Sequence, residues 1–312
     1  MVTDNNQLDH GMQLDIIRNL VDRLSECYVY PEIAEQVCDH LMHRLEVGDY
    51  AEIVEEDFFA YALTVHMQDI SRDEHLWVRW HPERLPGGEP ALRKQQTWLS
   101  SLHEQAKLAN YGLRKVERLP GNVGYLDISC FHKAEWGAET ATAAMNYLAS
   151  ARALIIDLRS CKGGYPSMVI HIASYLFGDD PVLLNSIYWR DEDVTQQYWT
   201  KPFVQGKKFI DKPVFVLTSP VTFSAGEEFA YDLQALQRAT VVGERTCGGA
   251  HAGASYRIHP NFEAFIPVGR AINPITRGNW QGSGVVPDIR VSHEDALDVA
   301  YRLALEVIPQ PG

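Results

Sequence analysis

The chain has 312 residues, 46% of them hydrophobic and 22% charged, enough to bury a real core and too many for a stapled mini-protein. Its 41 acidic and 28 basic side chains give a formal charge of −13, which repels phosphate backbones and anionic bilayers and excludes nucleic acid and membrane surfaces as expected partners. The five cysteines, Cys27, Cys38, Cys130, Cys161 and Cys247, contain no CxxC pair, a pattern that fits a reduced compartment better than a disulfide framework or a structural zinc site.

The longest apolar runs, such as Ala153 to Ile156 and Val214 to Leu217, fall far short of the ~18 residues that span a bilayer. The first ten residues carry neither a basic start nor an apolar stretch, so a cytoplasmic location is expected. From Leu14 to Leu45, Ile17, Leu20, Val21 and Leu24 and then Ile33, Val37, Leu41 and Leu45 recur at helical spacing, which predicts two amphipathic helices. Pro31 breaks them, because it disfavours helix at Tyr30 while fitting the first turn of the helix that follows. His40 and His43 share a face there, a metal-like spacing that a solvated helix explains equally well. A third helix is predicted over Glu56 to Ile70, with Phe58, Phe59, Leu63 and Met67 as its inner stripe. Leu76, Val78 and Trp80 alternate with polar or exposed positions as in a strand, Pro82 to Pro90 reads as a loop, and a polar helix follows near Lys94 to Leu108.

The pattern then changes to short apolar strands at Val123 to Ile128, Ala153 to Asp157, Val214 to Thr218 and Thr240 to Val242. Helices alternate with them near Glu139 to Ser150, Tyr165 to Phe177 and Ala225 to Gln237, which predicts an α/β core with a covered, largely parallel sheet. A terminal helix, Glu294 to Val307, presents Ala296, Leu297, Ala300, Leu303, Ala304 and Val307 on one face. The expected division is a helical domain over 1–72, a strand and connecting segment over 73–122, and the α/β core over 123–312.

Three glycine-bearing junctions could carry chemistry. After the strand ending at Asp157, the segment Cys161-Lys162-Gly163-Gly164-Tyr165-Pro166 allows backbone amides to point outward at a developing negative charge, although a plain strand-to-helix turn fits as well. After the strand ending at Thr218, Ser224 stands at the start of a helix, a hydroxyl at the positive end of the dipole among small neighbours. Ser224-Ala225-Gly226-Glu227 also reads as a capping box. The third junction, Asn273 to Asp288, is a turn-rich loop. A serine nucleophile needs a base, and no lysine follows Lys212. A dyad with a downstream lysine is therefore excluded, which leaves histidine, with His75 and His251 as candidates.

Together these segments resemble the tail-specific, or C-terminal processing, serine peptidases, in the branch related to interphotoreceptor retinoid-binding protein and the tricorn protease core. The resemblance rests on Tyr28-Val29-Tyr30-Pro31, Asp73-Glu74-His75-Leu76, Asp157-Leu158-Arg159 with Gly163-Gly164, Thr222-Phe223-Ser224-Ala225-Gly226-Glu227-Glu228-Phe229-Ala230-Tyr231, Gly248-Gly249-Ala250-His251 and Asn279-Trp280-Gln281-Gly282. It implies a crotonase-like or ClpP-like spiral of β-β-α units preceded by a small helical domain. Ser224 matches the nucleophile, the amide of Ala225 with that of Gly163 or Gly164 matches the oxyanion hole, and His75 matches the general base. His251 is the rival base, two residues beyond Gly249, where the dyad branch carries its lysine.

Gln281 departs from the glutamate usual in the Asn-Trp-Glu-Gly motif; its oxygen can still accept a hydrogen bond, but it cannot stabilise an imidazolium by charge, so weakened or lost activity is expected. Only about 40 residues, Pro82 to Asn122, separate the strand after His75 from the first core strand, against a common domain size of about 100, so no PDZ domain is expected. The implied function is a serine peptidase acting on peptides or flexible chain ends without a metal or organic cofactor, with homo-oligomerisation left open. The alternatives are a non-catalytic relative that binds an apolar ligand or peptide, and a serine hydrolase or acyltransferase acting on a small metabolite.

Overall fold

The structure, a computed structural model, describes residues 8–85 and 91–307. It comprises two compact units, each discontinuous in sequence: one of residues 1–98, 187–195 and 251–270, the other of residues 99–186, 196–250 and 271–312. Along the chain the elements are α1 (His10–Cys27), α2 (Pro31–Glu46), α3 (Glu56–Ser71), β1 (Trp77–Trp80), α4 (Ala91–Leu108), β2 (Leu113–Leu119), β3 (Val123–Ile128), α5 (Ala134–Leu148), β4 (Ala153–Asp157) and α6 (Pro166–Ala173). They continue with β5 (Leu183–Trp189), β6 (Val194–Trp199), β7 (Val214–Thr218), α7 (Ala225–Ala235), β8 (Thr240–Gly243), β9 (His251–His259), β10 (Phe262–Ile272), β11 (Ile289–Arg290) and α8 (Ala296–Val307).

In the first unit, the side chain of Asp9 caps α1 by accepting the Met12 amide at 2.8 Å, and Pro31 occupies the first turn of α2, as its missing N–H permits. Ile16, Leu20, Val37, Leu41, Phe59, Leu63 and Met67 from the three helices pack with Phe262, Ala264, Ile266 and Val268 of β10 in one apolar cluster. The inner stripe predicted for α3 is corrected at one position, since Phe58 is 55% exposed while Phe59, Leu63 and Met67 are buried; the buried three follow the i, i+4, i+8 line of one helix face, and Phe58 lies about 100° round the helix from it. Arg72, in the left-handed conformation with φ 53°, ends α3 and turns the chain toward Asp73 and His75. Strand β1 pairs antiparallel with β10, Trp77 opposite Phe265 and Trp80 opposite Phe262. The order of this sheet is β1-β10-β5-β6, with β9 also paired to β10.

The second unit holds a six-stranded sheet in the order β11-β8-β7-β4-β3-β2. The pairs β3/β4, β4/β7, β7/β8 and β8/β11 are parallel and β2/β3 antiparallel, the largely parallel core that the alternation of strands and helices predicts. Successive strand residues point to opposite faces. Thus Leu126, Ile156 and Val216 join the cluster formed with α5, α6 and α7, whereas Tyr125, Ile155 and Phe215 meet Ala296, Ala300 and Ala304 of α8. Each fully buried isoleucine or leucine contributes roughly 1.5–3 kcal/mol. Val307, expected on the inner face of α8, is instead 51% exposed.

Candidate active site

Asp157 at the end of β4 lies opposite Leu217 near the end of β7, so the loops that leave these two strands start side by side at the carboxyl edge of the parallel sheet, where α/β folds place their ligand sites. Buried hydroxyls lace the loops together. Ser219 Oγ donates to the Arg159 carbonyl at 2.6 Å, Thr222 Oγ1 donates to the Leu158 carbonyl at 2.8 Å, and the Phe223 amide donates to the Cys161 carbonyl at 3.0 Å. On the far side of the glycine strip, the Phe131 amide donates to the Gly163 carbonyl and the Tyr165 amide to the Phe131 carbonyl.

Gly163 and Gly164 have φ of +107° and +136°, a region that only glycine enters freely. A Cβ on Gly163 would lie 2.7 Å from Ser224 Cβ, and one on Gly164 would lie 2.1 Å from the Phe131 carbonyl oxygen. The strip is therefore pressed against the serine. Ser224 itself has φ 54° and ψ −122° at the N-cap of α7, a strained backbone for a residue with a side chain. Strain of this kind at a strand-to-helix turn characterises nucleophile elbows. The Ala225 amide lies in the first helical turn, whose N–H groups have no intrahelical acceptor.

Glu227, fully buried, holds this turn in place. Its Oε2 accepts the amides of Ser224 at 2.8 Å and Gly249 at 2.9 Å, and its Oε1 accepts the Gly248 amide and the Thr246 hydroxyl, each at 2.6 Å. Burial raises its pKa, against the pull of these donors. Gly249 is fixed from its other side as well, its carbonyl accepting Trp280 Nε1 at 2.7 Å, while Gln281 Oε1 accepts the Ala250 amide at 2.7 Å. The second unit therefore brings Ser224, Gly163 and Ala225 together, with Gly164 beside Gly163 in the strip, and anchors Gln281 on the segment that leads to His251.

The first unit assembles the histidines around Asp73. This buried carboxylate accepts His251 Nδ1 at 2.6 Å, the Tyr28 hydroxyl at 3.0 Å and the His75 amide at 3.1 Å. Burial pushes its pKa up, but the hydrogen bond and charge of His251, then the charge and amide of His75, outweigh it and leave the carboxyl below its ordinary value. For His75 burial dominates: despite the attraction of Asp73 its pKa is lowered to about 4, so its imidazole is neutral near pH 7. The Phe265 ring lies 6.0 Å from it and the Tyr30 ring meets His251 edge-on at 5.4 Å. His251 Nε2 is buried and has no hydrogen-bond partner among the described residues. The sequence reading assigns no anchoring role to Asp73, for which the Asp-x-His spacing was the available signal; the capping box read at Ser224 to Glu227 gives the bond from the Ser224 amide but not those from Thr246, Gly248 and Gly249.

Elsewhere, His40 Nε2 accepts Arg44 Nε at 2.9 Å. Among the described residues, no group of three or more His, Cys, Asp or Glu side chains is placed to hold a metal ion, and no helix is long and apolar enough to cross a membrane.

The chain belongs to peptidase family S41: the model of that family matches residues 122–291, and the model of the N-terminal domain of S41 peptidases in eukaryotic IRBP matches residues 10–109. It is 28% identical over 200 residues to the carboxyl-terminal-processing protease of Synechocystis, a match covering 61% of this chain and 44% of the relative. The chain spans less than half the length of the curated relatives it matches. In fold it is similar to a candidate peptidase from Parabacteroides merdae, with a TM-score of 0.65 and 18% identity over 94% of this chain and 96% of that one. It is also similar to tricorn protease, with a TM-score of 0.61 and 12% identity over 95% of this chain and 37% of that one.

Proposed function

We propose that the protein is a serine peptidase in which Ser224 is the nucleophile and His75 the general base. The observation that carries the reading is the strained Ser224 N-cap with the Gly163 backbone pressed against it. In the reaction, Ser224 Oγ attacks the peptide carbonyl and passes its proton to a neutral imidazole. The amides of Ala225 and of Gly163 or Gly164 hold the oxyanion, each donor contributing about 3 kcal/mol, and the imidazolium protonates the leaving amine. Water then cleaves the acyl-enzyme by the same steps. The lowered pKa of His75 supports its role, because the base must be unprotonated before attack.

The bond between His251 and Asp73 favours a second assignment, with His251 as the base and Asp73 as its orienting acid. The amide oxygen of Gln281 makes the backbone bond a carboxylate would make but brings no charge, which favours a weakly active or ligand-binding relative. A fluorophosphonate probe followed by intact-mass measurement separates these readings. One adduct on the wild type, lost in Ser224→Ala and reduced in His75→Ala, is expected. Loss in His251→Ala with full labelling of His75→Ala would move the base to His251. No labelling of the wild type together with labelling of Gln281→Glu would identify a silenced site. Turnover of small esters without cleavage of any peptide would indicate a small-molecule hydrolase.

A further inference from the structure

Lys133 precedes α5 and follows closely on Phe131, whose amide donates to the Gly163 carbonyl and whose carbonyl accepts the Tyr165 amide. Its ammonium lies 5.1 Å from the centre of the Tyr165 ring and 5.3 Å from that of Trp136, within the range at which an aromatic face attracts a cation. Tyr165 comes directly after Gly164, so the ammonium is one side chain removed from the glycine strip pressed against Ser224. Every residue of this arrangement belongs to the second unit.

The surroundings of the lysine are fixed. The Trp136 ring stacks on His103 at 5.0 Å. The fully buried Phe131 ring stacks at 5.5 Å on Phe229 of α7, the helix that Ser224 caps. The Ala134 amide donates to Ser167 Oγ at 3.1 Å, which ties the start of α5 to the start of α6.

The half-buried lysine is held but not neutralised. Among the described residues its ammonium takes part in no ion pair and no hydrogen bond, in a chain with 41 acidic and 28 basic side chains. Its place in the fold does not reward a cation either, because the N-terminal end of a helix opposes positive charge. Two ring faces attract the ammonium without supplying an acceptor, so its N–H donors remain to be matched. A carboxylate matches them with charge-assisted hydrogen bonds. Lysine is a compact point charge on a flexible stem and imposes no plane on its partner, which suits the side-chain carboxylate of a peptide lying along the strip.

We propose that Lys133 is a specificity residue that selects an acidic side chain, aspartate or glutamate, near the scissile bond of the peptide, which rests on the reading of this protein as a peptidase.

The experiment labels the full-length protein with a fluorophosphonate in the presence of alanine pentapeptides that carry one aspartate, asparagine or lysine at each position in turn. Each peptide is an N-acetyl amide, so no chain-end charge enters the comparison. On the wild type, the best aspartate peptide should halve the labelling rate of Ser224 at a concentration about 10-fold lower than its asparagine isostere, the effect of one charge-assisted hydrogen bond. Lys133→Arg keeps this order. Lys133→Glu inverts it in favour of the lysine peptide, a reversal that a merely structural lysine would not produce. Equal protection by aspartate and asparagine peptides at every position of the wild type would overturn the proposal whether or not the variants fold, and would leave the peptidase reading intact as long as Ser224 is labelled.

If Ser224 of the wild type takes no label, the peptidase reading falls, and the melting temperature in the presence of the same peptides decides the rest. Stabilisation by aspartate over asparagine, inverted in Lys133→Glu, would sustain Lys133 as a site for acidic side chains. Equal melting temperatures would remove that site as well.

Discussion

Oε2 of Glu227 accepts the Ser224 amide at 2.8 Å and the Gly249 amide at 2.9 Å, so one carboxylate oxygen ties the candidate nucleophile to the segment that ends at His251. Its other oxygen serves Thr246 and Gly248. Glu227→Gln places an amide NH₂, a donor, where donors already converge. The expected cost is about 2 kcal/mol or more, the penalty for leaving a buried group unsatisfied, together with slower fluorophosphonate labelling. Chemical denaturation and labelling rates measure the two effects separately.

Gly163→Ala tests the contact with Ser224 directly. The new methyl would meet Ser224 Cβ at 2.7 Å in a backbone with φ +107°, and strain at such a position costs on the order of 1–3 kcal/mol. Labelling of Ser224 should fall far more than the melting temperature, because displacement acts at the glycine strip first. A variant that labels as fast as the wild type would show that the strip takes no part in activation.

Gln281→Glu keeps the acceptor for the Ala250 amide, which Gln281 Oε1 takes at 2.7 Å, and adds a charge. The fold should be retained while labelling of Ser224 accelerates, since a carboxylate stabilises an imidazolium and an amide does not. An unchanged rate would assign Gln281 to holding the backbone and nothing more.

The pH profile follows from His75. Its pKa is lowered to about 4 from an ordinary 6.5, so in the folded protein it stays neutral where the unfolded chain is already protonated. The stability it permits is complete above pH 6.5 and falls as the pH drops toward 4, by about 3 kcal/mol across the window. For the same reason the acid limb of kcat/KM should lie near pH 4 to 5. A limb near 6.5 would point to another base.

Glu228 and Asp232 of α7 titrate in the opposite sense. Burial lifts Glu228 to about 7, against its bond from Asn185, while burial and the charge of Glu228 lift Asp232. Raised carboxyl pKa values mean that the folded state keeps protons the unfolded state has released, so this pair favours folding at low pH and opposes it as the pH rises from about 4.5 through 7. Glu228→Gln should therefore raise the melting temperature at pH 8 and change it little at pH 5. Equal shifts at both values would refute the raised pKa of Glu228.

The parallel core was legible because its signal is local. Each of Val123–Ile128, Ala153–Asp157 and Val214–Thr218 is a short apolar run that meets helices on both faces. The antiparallel sheet was not read, apart from the strand at Trp77. Strand β6 is mostly exposed and polar, and β10, beside its neighbour β9, draws its other partner from β1, far away in the chain. The motif around Ser224 announced a helix start, yet its positive φ and the contact with Gly163 depend on two strands ending side by side. His75 and His251 were named as alternatives, whereas the arrangement joins them through one acid, Asp73, a relation that no linear spacing expresses.

The pairing of β1 with β10 also bears on how the molecule comes into being. Trp77 finds Phe265, and the Val29 amide finds the Pro267 carbonyl, so during synthesis the first helices leave the ribosome well before the strands that complete their core have been made. Contacts so distant in sequence slow folding, and the apolar faces of α1 to α3 must wait uncovered meanwhile. A fragment ending near residue 98 would inherit that exposure permanently and should aggregate rather than behave as an independent helical domain.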